Sequence, residues 1–582
     1  MKRKFKALLS LILSVCLLIP MVGAMAQAPK PLTFWVASDI HYKPYTDLPP
    51  VNEKQSLPGD PLYSHTNDKS MLTYEADAII DEFLKRFEAS DTEILLIPGD
   101  LSEEGHWTEH LGLAKILNEF KQRTGKRIFV IPGNHDIRTS ASSGRLDLED
   151  FLEIYKDLGY NEALAQHDTS GSYTADLDGQ YRLLAIDACK YRSDSSQMTP
   201  ELLAWIEEQV FAAKAEGKKI IGMVHHNVLP HFGIQDIMGS AMNIENAREN
   251  ATLFADWGIK YFITGHEHAN DISMAVSAEG NRIYDIETGC LLTYPNAYRK
   301  LEFSDEAVIV QTDYIDKIDL SLLPEGYNNA QLKLMEEDFP AYSYGYYKSG
   351  LMSVAYDVPN FTKRLASALN IEKDSPFYGS VEGIMDALAD GLNMPLYDPG
   401  TAAIDSVEEI VAAGGDSIPQ SDYRNILELA GAIYAVHYAG DENLAHDSLE
   451  IEIFKKGLAA LLINVFTNLG PAATLGFFKH LGLDLPDLPN QAYDLAYTSS
   501  AKVFFAKTIT ARLMEELIKP LLNSFIADSY APADLNVTLE PYGEKWDLPG
   551  RTVPINDFDY AMNIIFKSFE ILVNMSKLVI AA

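Results

Sequence analysis

The chain has 582 residues, 47% of them hydrophobic and 22% charged, and a formal net charge of -36. That length exceeds one ordinary core and that balance excludes a disordered chain, so two or more globular domains are expected. So acidic a surface repels polyanions and excludes tight, non-specific nucleic-acid binding, which needs Lys and Arg to neutralise phosphates.

The N-terminus carries a basic stretch of Lys2, Arg3, Lys4 and Lys6, then an apolar run from Leu8 to Met21. Ala24-Met25-Ala26 follows with the small residues that a signal peptidase reads. Residues 1–26 therefore read as a signal peptide and predict a secreted or extracytoplasmic protein. The apolar run is short for a span of ~20 residues, so no transmembrane span is expected after cleavage. Cleavage would remove four basic residues and no acidic one, taking the net charge from -36 to -40. Cys189 and Cys290 then remain, too few for a disulfide scaffold, and whether they pair is open.

From residue 32 to about 320, short apolar runs alternate with helical patterns. Leu32–Ala37, Ile94–Pro98, Ile128–Pro132, Arg182–Asp187, Lys219–Val224, Lys260–Thr264 and Ile283–Glu287 read as buried strands. Ala76, Ile79, Ile80, Phe83, Leu84 and Phe87 share one helical face, as do Leu113, Ile116, Leu117 and Phe120. The alternation predicts an α/β layered domain over 32–320. Tyr298–Phe303 and Ala307–Tyr314 read as an antiparallel strand pair near its end. From 325 to 582 helical periodicity takes over, which predicts a second, mostly helical domain with no readable role. Its most apolar stretch, Leu458 to Phe478, contains Asn464, Asn468, Gly470 and Pro471 and reads as a buried helix pair. Charges at Lys567, Glu570 and Lys577 speak against a span in 560–582. Tyr342, Tyr344, Tyr346 and Tyr347 read as packing between the domains, with a nucleobase wall as the other possibility.

Chemistry concentrates where strands end. Asp39-Ile40-His41 follows the first run, Gly99-Asp100 the second and Gly133-Asn134-His135-Asp136 the third. His225-His226 follows Val224, and Gly265-His266-Glu267-His268 follows Thr264. The C-terminal strand ends of an α/β sheet share one edge, so these five segments would meet. Carboxylate with imidazole suits two close divalent or trivalent ions, with Fe, Mn, Zn, Co or Ni preferred over Mg or Ca. Asp100 has two oxygens with which to bridge, Asn134 adds a neutral oxygen, and the glycines at 99, 133 and 265 permit sharp turns. No cysteine or serine nucleophile is required. His65, His106, His110, His167 and His231 read as loop or surface residues.

In this order the motifs resemble the calcineurin-like metallophosphoesterase superfamily over residues 33–290. The stretch from Gly99-Asp100-Leu101-Ser102 through His110, and Ile131 through Ile137, is similar to the branch containing bacterial cyclic-nucleotide phosphodiesterases. The resemblance implies a four-layer β-sandwich flanked by helices. It implies that Asp39, His41 and His268 bind one ion, that Asn134, His225 and His266 bind the other, and that Asp100 bridges them. His135 would protonate the leaving oxygen, and a neighbouring carboxylate, Asp136, would orient its ring. The fourth motif departs from the family's His-x-Pro, since Asn227 follows His225-His226. Adjacent residues on an extended chain point opposite ways, so only one of the two binds. His225 is chosen, with reversed roles for His226 left open.

The expected function is hydrolysis of phosphate esters by metal-activated hydroxide, with two ions of Mn, Fe or Zn as cofactors. A phosphodiesterase on small phosphorylated substrates such as cyclic nucleotides is the first reading. A phosphomonoesterase or nucleotidase, and a non-catalytic metal-containing binding protein, are the alternatives.

Overall fold

The computed structural model describes residues 30–48, 51, 70–137, 146–193, 195–231, 235, 242–356, 372–375, 378–401, 403–440, 444, 447–480, 502–503 and 534–542. The expected signal segment 1–26, His65, the Pro cluster at 485–489 and the segment 560–582 lie outside them. Among the described residues the strands form two sheets. The first holds β1 (Leu32–Val36), β2 (Ile94–Ile97), β3 (Arg127–Val130), β11 (Ala297–Phe303), β12 (Val308–Tyr314) and β13 (Asn536–Leu539) in the order β13-β12-β11-β1-β2-β3. The second, in the order β4-β5-β6-β7-β8-β10-β9, holds β4 (Ala165–Gln166), β5 (Tyr173–Asp176), β6 (Tyr181–Ile186), β7 (Lys219–Val224), β8 (Tyr261–Thr264), β9 (Ile272–Val276) and β10 (Arg282–Glu287). Every strand read from the sequence is present, and the α/β fold is as expected.

Alternation along the strands explains the layering. On β1, Phe34 stacks on Phe303 of β11 at 5.4 Å, and Phe303 meets Tyr181 and Tyr261 of the second sheet. The next residue, Trp35, turns the other way and meets Phe83 and Phe87 of α1 (Ala76–Ala89). On β6, Leu183 and Ala185 join the core between the sheets. Leu184 and Ile186 join a separate core under α4 (Pro200–Ala215) and α5 (Ala247–Trp257), numbered after α2 (Trp107–Thr124) and α3 (Leu148–Ile154). The order is helix, sheet, sheet, helix. Full burial of a Phe or Leu contributes roughly 1.5–3 kcal/mol, so these two faces fix strand register as well as stability.

The helical region contains α6 (Asn329–Glu337), α7 (Phe339–Tyr356), α8 (Tyr378–Leu392), α9 (Val407–Ala413), α10 (Ile426–Ala439) and α11 (Leu449–His480). Leu396, Val407, Ile410, Ile426, Ile451 and Ala460 are among the residues that build a core of its own. One continuous helix, α11, runs through the stretch read as a helix pair. No helix among the described residues is long and apolar enough to cross a membrane. The tyrosines of α7 pack: the Tyr342 hydroxyl donates to Glu75 at 2.6 Å, and Tyr347 lies 5.2 Å from Tyr438 of α10. A strand not read from the sequence, β13, pairs antiparallel with β12 through residues 536–539.

Candidate metal centre

β1, β2 and β3 run parallel in the first sheet, and β6, β7, β8 and β10 run parallel in the second. Their C-terminal ends bring all five motifs to one rim. The His266 backbone N–H donates to the Asp39 carboxylate at 3.0 Å, and His225 Nδ1 meets the Pro98 carbonyl at 2.9 Å. These two contacts tie one sheet to the other. Nine non-glycine residues among those described have positive φ, and five of them are Asp39, His41, Asp100, His266 and His268. Left-handed backbone costs a non-glycine residue roughly 1–3 kcal/mol and persists only where surroundings over-determine it. Of the motif glycines, only Gly99 has positive φ; Gly133 and Gly265 serve close approach instead. A Cβ on Gly133 would run into the Asp100 carboxylate, and one on Gly265 into Ser38 and Asp39.

The side chains converge on two points that share Asp100. At the first, His41 Nε2 lies 3.1 Å from His268 Nε2, 3.8 Å from Asp39 Oδ1 and 3.5 Å from Asp100 Oδ2. His268 Nε2 is 3.5 Å from Asp39 Oδ1. At the second, His225 Nε2 lies 2.9 Å from Asn134 Oδ1, 3.1 Å from His266 Nδ1 and 3.3 Å from Asp100 Oδ2. One oxygen, Asp100 Oδ2, thus faces both groups. His225 is the member of its pair that joins them. The His226 ring packs 4.3 Å from His266, with Nδ1 4.0 Å from Cys189 Sγ. Cys189 and Cys290 are both free and buried.

This donor set fits divalent cations. A carbonyl oxygen only accepts, so His225 donates Nδ1–H to Pro98, and His41 Nδ1 is paired with Glu103 Oε2 at 2.9 Å. Both rings therefore turn Nε2 toward the shared carboxylate, the arrangement in which an outer partner orients a ligand imidazole. Electrostatics point the same way. Burial opposes a charged His225, yet Asp100 and Asp39 hold its pKa up to about 9. Burial opposes it at His41 as well, and Glu103 and Asp100 again raise it. Against their own burial, Asp39 is held low by His268 and Asp100 well below its usual range by His225. The carboxylates call for positive charge, which a bound cation supplies without the protons.

His135 stands half-buried at the rim, its ring 4.7 Å from that of His41. The expected role of Asp136 needs correction. Its carboxylate accepts from Leu101 N, Ser102 N, Ser102 Oγ and Gly133 N, so it laces the second motif to the third. The His135 Nδ1 meets the Glu103 carbonyl instead, at 2.5 Å. Glu103 was missed by sequence reasoning, although its side chain holds His41 and its backbone holds His135. The available signal was a second acidic residue three positions after Asp100. Two histidines read as surface residues, His110 and His231, are fully buried. His110 bonds Tyr155 and Ser102, at 3.0 and 3.1 Å.

Residues 32–270 match the family model described as calcineurin-like phosphoesterase. The chain therefore carries a calcineurin-like phosphoesterase domain. With the acid and imidazole groups at its rim, it is a metal-dependent phosphoric ester hydrolase. No curated protein matches the chain. Among solved structures it is similar to a dimetal phosphatase from Danio rerio, at 12% identity and a TM-score of 0.34, covering 49% of this chain and 97% of that one. It is also similar to the structure of PhoD, at 10% identity and a TM-score of 0.29, covering 49% of this chain and 66% of that one. A conserved Streptococcus pneumoniae protein described as a predicted phosphoesterase matches at 12% identity and a TM-score of 0.21, covering 49% and 91%.

Proposed function

We propose that this chain is an extracytoplasmic phosphodiesterase with two metal ions, acting on small phosphate diesters, with cyclic nucleotides as the favoured class. The observation that carries the reading is the Asp100 oxygen facing both convergent groups, 3.5 Å from His41 and 3.3 Å from His225. Asp39, His41 and His268 would hold one ion, and Asn134, His225 and His266 the other, with Asp100 shared. Mixed carboxylate and imidazole donors favour Mn, Fe or Zn. Such ions polarise a phosphoryl oxygen and activate water for attack at phosphorus.

The protein's own groups supply the rest. With Nδ1 of His135 committed to the Glu103 carbonyl, Nε2 is the atom that delivers a proton to the leaving oxygen. Preference for a diester rests on the resemblance of residues 99–110 and 131–137 to bacterial cyclic-nucleotide phosphodiesterases. The net charge of -36 favours a small substrate over a polyanion. Export rests on the basic and apolar pattern of residues 1–26, and a mature N-terminus at Gln27 is the expected result of sequencing the exported protein.

The test is hydrolysis of bis-p-nitrophenyl phosphate against p-nitrophenyl phosphate by Mn-, Fe- or Zn-loaded protein. Faster diester cleavage is expected, falling roughly 100- to 10,000-fold in His135→Ala with metal uptake intact, and lost with metal in Asn134→Ala. Monoester preference would sink the diester assignment, and silence with every metal would sink the enzyme.

A further inference from the structure

The loop Gly265–Asn270, which carries His266 and His268, does not stand on the phosphoesterase domain alone. Glu267 lies between the two histidines and is only 3% exposed. One of its oxygens meets His437 Nε2 of α10 at 3.2 Å. The other accepts from Gln235 Nε2 at 3.1 Å, and that nitrogen also reaches Asn227 Oδ1 at 3.0 Å. Asn227 follows His225-His226 and donates back to the Gly265 carbonyl at 3.3 Å. A buried bridge of amide and carboxylate thus joins the loops bearing His225, His266 and His268, and its outer end is anchored in the helical region.

A second contact fixes the same loop. The last carbonyls of a helix lack intrahelical partners. The Tyr438 carbonyl at the end of α10 accepts from the Asn270 backbone at 3.3 Å and from Asn270 Nδ2 at 3.0 Å. Asn270 Oδ1 in turn accepts from Gly289 N. A carboxylate at a helix C-terminus faces the negative end of the dipole, so Glu267 needs a donor there, and His437 provides it. The loop needs such support because His266 and His268 have φ of 80° and 69°. Strained backbone of this kind relaxes when its surroundings loosen.

We propose that the helical region is a working part of the metal centre, with His437 as a positioning residue that acts through Glu267 to hold His266 and His268 in ligating geometry. The proposal rests on the metal-centre reading above. It predicts that a change on α10 alters metal affinity, although α10 supplies no ligand.

The experiment is Mn(II) binding by calorimetry to the metal-free full-length chain, for wild type, His437→Ala and His437→Gln, with thermal midpoints of the same samples. His437→Ala should bind Mn(II) up to roughly 10-fold more weakly, the lower end of what removing an outer partner of a ligand costs, because it acts at one remove through Glu267. His437→Gln, which keeps a donor, should recover most of that loss. A lower thermal midpoint with unchanged Mn(II) affinity would overturn the proposal, because that is what packing alone predicts. Should His437→Ala not fold, Glu267→Gln breaks the bridge from the loop side with its shape kept, and unchanged affinity there would equally overturn it. A wild-type chain that takes up no Mn(II) would overturn the metal-centre reading itself, whereas normal wild-type uptake with unaffected variants would overturn this inference alone.

Discussion

Two buried clusters of acids and histidines lie close together in this domain, and only one of them has the form of a reactive site. In the rim cluster, imidazole nitrogens face each other at 3.1 Å across carboxylates, and His266 and His268 keep part of their surface exposed. In the closed cluster, His231 Nδ1 lies 3.1 Å from Asp271 and Nε2 3.3 Å from Asp285, with Glu287 at 3.8 Å, all fully buried. There each nitrogen already faces an acid, and Asp285 also accepts from Val228 N, Leu229 N and Thr264 Oγ1. Acceptors gathered round a point call for a cation from outside, whereas a donor held between acceptors closes the account. Residue type does not separate the two clusters; convergence and access do.

The sharpest way to break that contrast is to remove one residue from each cluster and ask which property fails. Asp100→Ala should abolish high-affinity metal binding and cut diester turnover by at least the roughly 100- to 1,000-fold that one lost electrostatic contact costs. The metal-free fold should still form, with some stability lost as His225 gives up the carboxylate that raises its pKa and the His135 backbone N–H gives up its acceptor. His231→Ala should do the reverse: about 3–5 kcal/mol of stability lost, as buried Asp271 and Asp285 lose their partner, with turnover per folded molecule changed far less. Urea midpoints beside steady-state rates separate the two. The His231 pair also predicts a pH dependence. Burial opposes its charge, yet Asp271 and Asp285 lift the pKa well above the usual imidazole value. A pKa raised on folding gives stabilisation that is complete below the unfolded value of about 6.5 and is lost as pH climbs through the folded one. The stability gap between wild type and His231→Ala should therefore narrow on the alkaline side. A gap that widens there would mean the ring is buried neutral.

Why the sequence revealed the rim cluster and hid the closed one follows from where each residue sits. The acids and imidazoles of the rim come directly after apolar runs, three of the five motifs opening on a glycine, so strand ends could be read and a shared edge inferred. The nine strands read from the sequence are long or rich in Val, Ile, Leu and aromatic residues. Those missed carry weaker signals: Tyr173–Asp176 mixes polar residues into four positions, and Ile272–Val276 follows the last ligand so closely that it reads as loop. Asn536–Leu539 does alternate, with Val537 and Leu539 buried, but nothing local ties it to a partner more than 200 residues away. His231 follows a proline in a loop, and no pattern announces that three distant acids surround it. Asp136 shows the same limit from the other side. Sequence proximity suggested that it serves His135, whereas its carboxylate is taken by backbone donors of the neighbouring loop.

Glu103 offers the finest cut, because its side chain serves one function and its backbone another. The carboxylate orients His41 at 2.9 Å, while the carbonyl holds His135 at 2.5 Å. Glu103→Gln keeps the length, an acceptor oxygen and the backbone bond, and removes only the charge. Metal affinity should fall by up to roughly 10-fold, the lower end of what losing an outer partner of a ligand costs. Turnover at saturating metal should stay near wild type, since the His135 ring, proposed to deliver the proton, is still held. The comparison to make is Mn(II) affinity against kcat for bis-p-nitrophenyl phosphate in the same preparation. If kcat drops at saturating metal while affinity is intact, the Glu103 carboxylate acts toward the substrate instead of through His41. The reactive face would then extend from His135 onto the loop that follows Asp100.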